Sequence, residues 1–167
     1  SISLQAHMHH FKLAAQNFYW RDSGAFTGEV SANQLRGLVQ YALVGHSERR
    51  HIFLEHDRDI RNKVQAAYRH GIIPVLCVGE TAIERTMGET TDVLHDQLIG
   101  GLSNITSDDA DTLVIAYEPV WAIGTGNHAK PVDVESAAKA IRSQVKHLFG
   151  AETAKKIRIL YGGSVTV

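Results

Sequence analysis

Five short runs of apolar residues recur along this chain of 167 residues, and they limit the possible folds more than any other feature. The runs are KLAAQ (12–16), YALVG (41–45), IPVLCV (73–78), LVIAY (113–117) and IRILY (157–161). Because these runs lack polar alternation, they predict strands that are buried on both faces, as in a parallel sheet. Parallel neighbours need a crossover between them, so the sequence predicts an α/β fold of alternating strands and helices.

The segments between the runs carry helix signals. Two of them show apolar stripes at helical spacing, formed by Ile60, Val64, Ala67 and Tyr68 and by Ala138, Ile141, Val145 and Leu148. Gly71 and Gly150 follow these stripes, and glycine there is typical of a helix C-terminus. Ser31 and Gln34 have the spacing of a capping box at a helix N-terminus. The sequence has no linker or low-complexity segment, so we expect a single domain over residues 1–167.

The charge and the cysteine content exclude several classes of protein. Lys and Arg total 17 and Asp and Glu total 18, so the net charge of -1 offers no basic surface for nucleic acid or an anionic membrane. Cys77 is the one cysteine of the sequence, which excludes a disulfide framework. The sequence lacks an apolar stretch of about 18 residues and an N-terminal signal pattern. We expect a cytoplasmic protein with no nucleic-acid partner and no membrane partner.

Polar or glycine-rich residues follow every apolar run at its C-terminal end. They are QN (16–17), GHSERR (45–50), GET (79–81), EP (118–119) and GGS (162–164). In parallel α/β proteins the carboxyl ends of the strands lie at one edge of the sheet and build the functional site. We therefore expect these five motifs to converge.

Glu118 and His46 are the candidate catalytic residues. Glu118 directly follows a buried run and precedes an apolar segment, which favours a general base over a carboxylate that only pairs with a cation. A histidine in isolation is more often structural, but His46 follows another strand at the same expected edge, which favours a catalytic role. We expect Arg49 and Arg50 to form ion pairs that hold this loop. Glu48 has a supporting role in this interpretation, since it could orient a cationic catalytic group.

Two glycine-rich segments, IGTG (123–126) and YGGS (161–164), would allow backbone amides to approach an anion. Each is a weak signal alone, and their place at the same edge favours a shared phosphate site. The HMHH segment (7–10) does not predict a metal site, because adjacent histidines point in different directions and no cysteine or carboxylate stands at ligand spacing. We therefore expect no metal at this segment, and we expect Cys77 to be a core residue.

Six ordered motifs resemble those of the triosephosphate isomerase family: AAQN, SGAFTGE, GHSERR, PVLCVGE, YEPVWAIGTG and YGGSV. The resemblance runs over nearly the whole chain. It implies a (β/α)8 TIM barrel and a homodimer that interconverts dihydroxyacetone phosphate and glyceraldehyde 3-phosphate in glycolysis and gluconeogenesis. It also implies proton transfer through an enediolate, without a metal or an organic cofactor.

The resemblance also assigns roles that are established for this family. Glu118 matches the base that moves a proton between two carbons, and His46 matches the neutral imidazole that polarises the carbonyl. Gly124 and Ser164 match backbone donors to the substrate phosphate. Residues 119–129 match a mobile lid that closes over the substrate and excludes water.

The resemblance implies a contact between subunits. The sequence also differs from the family pattern in two places. The segment SGAFTGE, from Ser23 to Glu29, matches the loop by which one subunit of the family enters its neighbour. Strands 3 to 7 of the family barrel are matched, whereas the first two strands, with their Asn-x-Lys motif, and the last strand are not. At the distal end of the lid this chain has GNHA, where the family commonly has Lys-Thr-Ala.

Two other interpretations remain open from the sequence. One is an inactive part-barrel fragment or pseudoenzyme that at most binds phosphate and self-associates through exposed strand edges. The other is a complete five-stranded, doubly wound sheet that binds phosphate, which the order of the six motifs disfavours. Because five strands cannot close an eight-stranded barrel, we expect the 167 residues alone to be inactive.

Overall fold

The computed structural model describes residues 11–163. Its strands are β1 (Ala14–Ala15), β2 (Tyr41–Val44), β3 (Ile73–Val78), β4 (Val114–Tyr117) and β5 (Arg158–Tyr161). Its helices are α1 (Ala32–Leu35), α2 (Ser47–His51), α3 (Asp57–Arg69), α4 (Ala82–Met87), α5 (Thr90–Leu102), α6 (Ser107–Ala110), α7 (Pro131–Phe149) and α8 (Ala151–Lys156), and a 3-10 turn covers Val120–Ala122. Each predicted apolar run contains a strand, and helical segments lie between the strands.

The strands form one parallel sheet in the order β1-β2-β3-β4-β5. Neighbouring strands pair in register, for example Val44 with Leu76, Val78 with Tyr117, and Tyr117 with Tyr161. A doubly wound sheet reverses its strand order, whereas this order runs in one direction, as in a barrel. The doubly wound interpretation is therefore wrong, and the prediction of parallel β/α units is confirmed.

Helices cover one face of the sheet. Strand side chains such as Val44, Leu76 and Ile115 pack there in one cluster with the helix side chains Ile60 and Leu98. All five side chains are almost completely buried. Burying an aliphatic side chain of this size typically stabilises a fold by about 1.5–3 kcal/mol. The helix-covered face is thus the main core of the described residues.

The opposite face, here called the inner face, carries a smaller apolar cluster. Its members and their apolar neighbours all lie on strands: Val75, Cys77, Val114, Ala116, Tyr41, Leu43 and Ile73. On β5, Arg158 and Leu160 lie beside Val114 and Ala116, and both are exposed. The prediction that every strand is buried on both faces is therefore wrong for β5 and also for β1, where Ala14 is exposed. These are the two edge strands of the sheet in residues 11–163.

The helix signals in the sequence are confirmed. The first apolar stripe lies on α3 and the second on α7, and Gly71 and Gly150 follow these helices with left-handed φ values of +70° and +91°. At the start of α1 the Ser31 hydroxyl accepts the Gln34 N–H, and the Gln34 side chain accepts the Ser31 N–H, which is the predicted capping box. Among the described helices, none is long and apolar enough to cross a membrane.

Candidate active site

His46 lies where β2 ends. Gly45 follows the strand with a left-handed φ of +73°, which turns the chain, and His46 is the N-cap residue of α2. Its Nδ1 accepts a hydrogen bond from the backbone N–H of Glu48 at 3.3 Å. Because an N–H donor needs an unprotonated Nδ1, the proton of the neutral ring lies on Nε2. The Glu48 side chain is exposed, so the contact that orients His46 comes from the main chain of Glu48 and not from its carboxylate.

Glu118 lies directly after β4 and is only 5% exposed. Its Oε2 accepts the backbone N–H of Ser47 at 3.0 Å, and its Oε1 lies 3.3 Å from Nε2 of His46. Ser47 is the first residue of α2, so the carboxylate faces a helix N-terminus, where free N–H groups favour an anion. The structure therefore brings the two candidate catalytic residues into contact from the ends of β2 and β4.

Two glycines allow the chain at Glu118 to lie close to the neighbouring strands. An ideal Cβ on Gly79, after β3, would lie 1.7 Å from the carbonyl oxygen of Glu118. An ideal Cβ on Gly162, after β5, would lie 3.1 Å from Cγ of Glu118. Gln97 of α5 holds Gly79 at both backbone groups, since its side chain accepts the N–H at 2.8 Å and donates to the carbonyl at 3.1 Å. Packing around Glu118 therefore requires a residue without a side chain at position 79 and favours one at position 162.

A cavity of about 620 Å³ opens beside this pair on the inner face. Its lining includes His46, Glu118 and Gly162, together with Cys77 and Arg158 of the inner face. Most of the other lining residues are strand side chains of the inner face, so His46, Glu118 and Gly162 lie at the edge of this cavity, where the strands end. Burial, and to a lesser extent the negative charge of Glu118, raises the pKa of the Cys77 thiol. Cys77 is therefore a buried core residue, as predicted, and not a ready nucleophile.

The two arginines after His46 hold this loop by ion pairs, as predicted. Nε of Arg49 donates to Oε1 of Glu55 at 2.6 Å, and Nη1 of Arg50 donates to Oδ1 of Asp57 at 2.9 Å. Lys63 of α3 also donates to Glu55 and is almost completely buried. Burial lowers the pKa of Lys63, and the hydrogen bond to Glu55 opposes this effect. Two charged contacts therefore reach α3, one from Arg50 of α2 and one from Glu55 of the loop that follows α2.

Residues 2–167 match the family model of triosephosphate isomerase. This chain belongs to the triosephosphate isomerase family. It is 47% identical over 154 residues to the triosephosphate isomerase of Lactobacillus delbrueckii subsp. bulgaricus, which covers 92% of the chain and 61% of that relative. The triosephosphate isomerase of Clostridium perfringens (strain 13 / Type A) is 45% identical over 155 residues, which covers 92% of the chain and 62% of that relative. The chain thus spans 61% or 62% of the length of these relatives.

Membership of the triosephosphate isomerase family explains the order of the strands. A (β/α)8 barrel has eight parallel strands in chain order, with helices outside and the functional residues at the carboxyl ends of the strands. The five described strands follow that order, helices cover one of their faces, and His46 and Glu118 follow strand ends. The chain is therefore part of a TIM barrel, which confirms the fold that the motifs predicted.

Glu80 is a buried carboxylate at the base of the predicted lid, and it was assigned no role in the sequence analysis. It is fully buried and accepts hydrogen bonds from the Tyr117 hydroxyl at 3.0 Å and from Nε1–H of Trp121 at 2.8 Å. The guanidinium carbon of Arg85 lies 4.1 Å from the centre of the Trp121 ring. Burial and the adjacent Glu80 raise the pKa of the Tyr117 hydroxyl. The start of the 119–129 segment is thus held against the core. The one sequence signal for Glu80 is its place in the GET motif, two residues after the end of β3.

Of the predicted phosphate-binding residues, the described residues include only Gly124. Gly124 is exposed, has a left-handed φ of +68°, and is not among the residues that line the cavity. Ser164 and the HMHH segment lie outside the described residues. Within residues 11–163, no group of three His, Cys, Asp or Glu side chains could hold a metal ion.

Proposed function

We propose that the complete protein that contains this chain is a triosephosphate isomerase, which interconverts dihydroxyacetone phosphate and glyceraldehyde 3-phosphate. The observation that carries the proposal is the contact between Nε2 of His46 and Oε1 of Glu118 at 3.3 Å. A neutral N–H donor and a buried carboxylate are the two groups that proton transfer next to a carbonyl requires. Both relatives are named triosephosphate isomerase, which supports the same reaction.

Glu118 acts as the base in this proposal. A substrate that enters the cavity separates Glu118 from His46 and places its reacting carbons beside the carboxylate. Glu118 takes a proton from the carbon next to the carbonyl, and the electron pair of that C–H bond forms the double bond of an enediolate. The hydroxyl proton on the neighbouring carbon passes to the former carbonyl oxygen with the help of His46, and the same carboxylate then returns a proton to the former carbonyl carbon. Until substrate arrives, the Ser47 N–H at 3.0 Å holds the carboxylate at the end of the sheet.

His46 acts as the donor to the substrate oxygens. Because Nδ1 accepts the Glu48 N–H, the ring is held in the tautomer whose proton lies on Nε2. Nε2–H therefore points to the side where Glu118 lies and where negative charge develops on the substrate oxygen. A donor that is oriented before the reaction stabilises this charge without reorganisation during the chemical step.

We further propose that backbone amides of Gly124 and Ser164 bind the phosphate and that residues 119–129 close over the substrate. Gly124 and Gly126 have left-handed φ values of +68° and +77°, which glycine adopts at low cost. Closure carries Gly124 from its exposed position toward the cavity. The apolar side chain of Ile123 then displaces water from Glu118, which protects the enediolate from losing its phosphate.

The proposal includes a cytoplasmic homodimer that forms through the loop from Ser23 to Glu29. Most side chains of this loop are exposed. Three apolar residues after α2, namely Ile52, Phe53 and Leu54, are 68%, 63% and 67% exposed. Contiguous exposed apolar residues of this kind mark protein interfaces. Light scattering on the complete gene product should give twice the mass of one chain, and a monomer at assay concentration would contradict the dimer.

The test of the proposed function is an isomerase assay, in both directions, on the complete gene product. Glu118→Gln should lower kcat by roughly 100- to 10,000-fold, the usual contribution of a general base, with KM within about tenfold. Glu152→Gln is the matched control, because the Glu152 side chain is 78% exposed and pairs only with surface Lys155 in the described contacts. A wild-type protein that shows no isomerisation above the buffer blank would overturn the proposal.

A further inference from the structure

Pairing between β2 and β3 stops before β3 ends. The last pair is Val44 with Leu76, whereas β3 continues to Val78. Within a strand, the carbonyl groups of consecutive residues point alternately to the adjacent strand on one side and to the adjacent strand on the other. The Val78 carbonyl accepts the Glu118 N–H at 2.8 Å and so faces the β4 side. The carbonyl of Cys77 therefore faces the β2 side, at a level where β2 has already ended.

Arg50 occupies this gap. Its Nη2 donates to the Cys77 carbonyl at 3.2 Å, and its Nε donates to the Gly45 carbonyl at 2.8 Å. Its Nη1 donates to Oδ1 of Asp57 at 2.9 Å. The side chain is only 11% exposed. One guanidinium thus links the end of β2, the end of β3 and the start of α3.

We propose that Arg50 is a positioning residue for the isomerase reaction, which fixes the direction of the His46 imidazole through the peptide bond between Gly45 and His46. The Gly45 carbonyl belongs to that peptide bond, so a hydrogen bond to this oxygen limits its rotation. An ideal Cβ on Gly45 would lie 2.9 Å from Nη2 of Arg50, so the guanidinium packs directly on this glycine. The effect on rate rests on the proposed function, whereas the effect on the imidazole does not.

The same guanidinium ties His46 to the part of the sheet that carries Glu118. Cys77, whose carbonyl Arg50 binds, pairs with Ala116 of β4, and Glu118 follows two residues later. A displacement of the end of β2 relative to β3 changes the 3.3 Å separation between Nε2 of His46 and Oε1 of Glu118. Arg50 therefore controls the geometry of both groups.

The three acceptors require arginine. They lie in different directions around one planar fork, and a lysine ammonium is a single point charge that cannot donate in this geometry. Asp57 adds an ion pair to a guanidinium that the two carbonyl groups already hold. It is the first residue of α3, where the helix N-terminus favours a carboxylate, and it packs on Gly100 of α5, whose ideal Cβ would lie 2.6 Å from Cγ of Asp57.

The experiment compares Arg50→Lys, Arg50→Gln, Asp57→Asn and Arg58→Lys in the complete gene product. Both Arg50 variants should lower kcat by between about 10- and 100-fold, the usual result of displacing a catalytic group by about 1 Å, with KM within about threefold. Asp57→Asn removes the ion pair but leaves both carbonyl contacts, so kcat should fall by less than about threefold. Arg58→Lys is the matched control, because the Arg58 side chain is 75% exposed, and its kcat should be unchanged.

Nitrogen NMR of the His46 imidazole separates positioning from stability and from the proposed function. The wild-type spectrum, assigned by the signal lost in His46→Gln, should show Nε2 protonated and Nδ1 as an acceptor. In Arg50→Lys or Arg50→Gln the chemical shifts of Nδ1 and Nε2 should move toward each other, because the proton then exchanges between the two nitrogens. If the wild type lacks isomerase activity, the proposed function fails and this measurement alone decides the positioning role. An Arg50 variant that unfolds at lower temperature but keeps the wild-type imidazole spectrum and kcat overturns the inference.

Discussion

Gly79→Ala adds one methyl group at the point where the end of β3 and the chain at Glu118 lie closest. The ideal position of the new carbon is 1.7 Å from the carbonyl oxygen of Glu118, 2.6 Å from its carbonyl carbon and 3.3 Å from its Cα. Non-bonded heavy atoms prefer a separation of about 3.5–4.0 Å. The backbone at Gly79 and the backbone at Glu118 must therefore move apart by more than about 1 Å. Both partners are backbone, so side-chain rotation cannot relieve the contact.

This displacement opposes two sets of hydrogen bonds. The Glu118 N–H donates to the Val78 carbonyl at 2.8 Å, and Gln97 holds both backbone groups of Gly79. We expect the free energy of unfolding to fall by about 1–3 kcal/mol or more, as for other overpacked positions. We also expect kcat to fall by on the order of 100-fold, because Glu118 is moved by about 1 Å. Urea unfolding and the isomerase assay on the complete gene product measure the two effects.

Gly71→Ala is the matched control for this substitution. Gly71 has a φ of +70°, but an ideal Cβ there meets nothing within 4 Å. Alanine should therefore cost about 1 kcal/mol or somewhat more of stability through backbone strain and leave kcat unchanged. A Gly79→Ala variant with wild-type unfolding and wild-type kcat would refute the close approach of the backbone at Gly79 to the backbone at Glu118.

Three further predictions concern the lid base, an ion pair and the sheet edges. Glu80→Gln should lower the free energy of unfolding by about 1–3 kcal/mol and shift Trp121 fluorescence, because one amide oxygen replaces two carboxylate acceptors; unchanged unfolding and emission would contradict this. A hydrogen bond from Arg85 lowers the pKa of Asp133, so its contribution to stability is present above the unfolded value of 3.8 and is lost as pH falls below it. Asp133→Asn should therefore be less stable than wild type near pH 7, and a difference in urea unfolding that persists undiminished near pH 2 would contradict the assignment. The 167 residues produced alone should self-associate through the edges of β1 and β5 and show no isomerase activity, whereas an active, monodisperse monomer by light scattering would contradict this.

The strands show where an apolar pattern predicts structure and where it does not. The run at 73–78 coincides with β3, which is paired on both sides and almost completely buried. The run at 12–16 contains only the two-residue strand Ala14–Ala15, because only these two residues pair with β2. Its length is set by the ladder of hydrogen bonds, which hydrophobicity does not encode. Likewise, the exposure of Arg158 and Leu160 depends on which strands face β5 and not on their own sequence.

The meeting of His46 and Glu118 follows from a general rule of parallel sheets, since polar residues after different strands converge at one edge. Their catalytic roles stay predictions. The contacts that surround them could not be predicted. Gln97 forms hydrogen bonds with Gly79, which lies 18 positions away in the sequence. Trp121 donates a hydrogen bond to Glu80, which lies 41 positions away. No local periodicity encodes such pairs, because they depend on how α5 and the lid segment pack against the end of the sheet.

Isomerisation in D2O tests proton transfer by Glu118 most directly. The complete gene product converts dihydroxyacetone phosphate, and the glyceraldehyde 3-phosphate is trapped by immediate oxidation and analysed by mass spectrometry. A carboxylate that carries the proton exchanges it with solvent, so the wild type should place deuterium at C2 of the product. Glu118→Gln should lose both conversion and labelling, and Glu152→Gln should keep both. A wild-type product without solvent deuterium, or an unchanged rate in Glu118→Gln, would contradict the account.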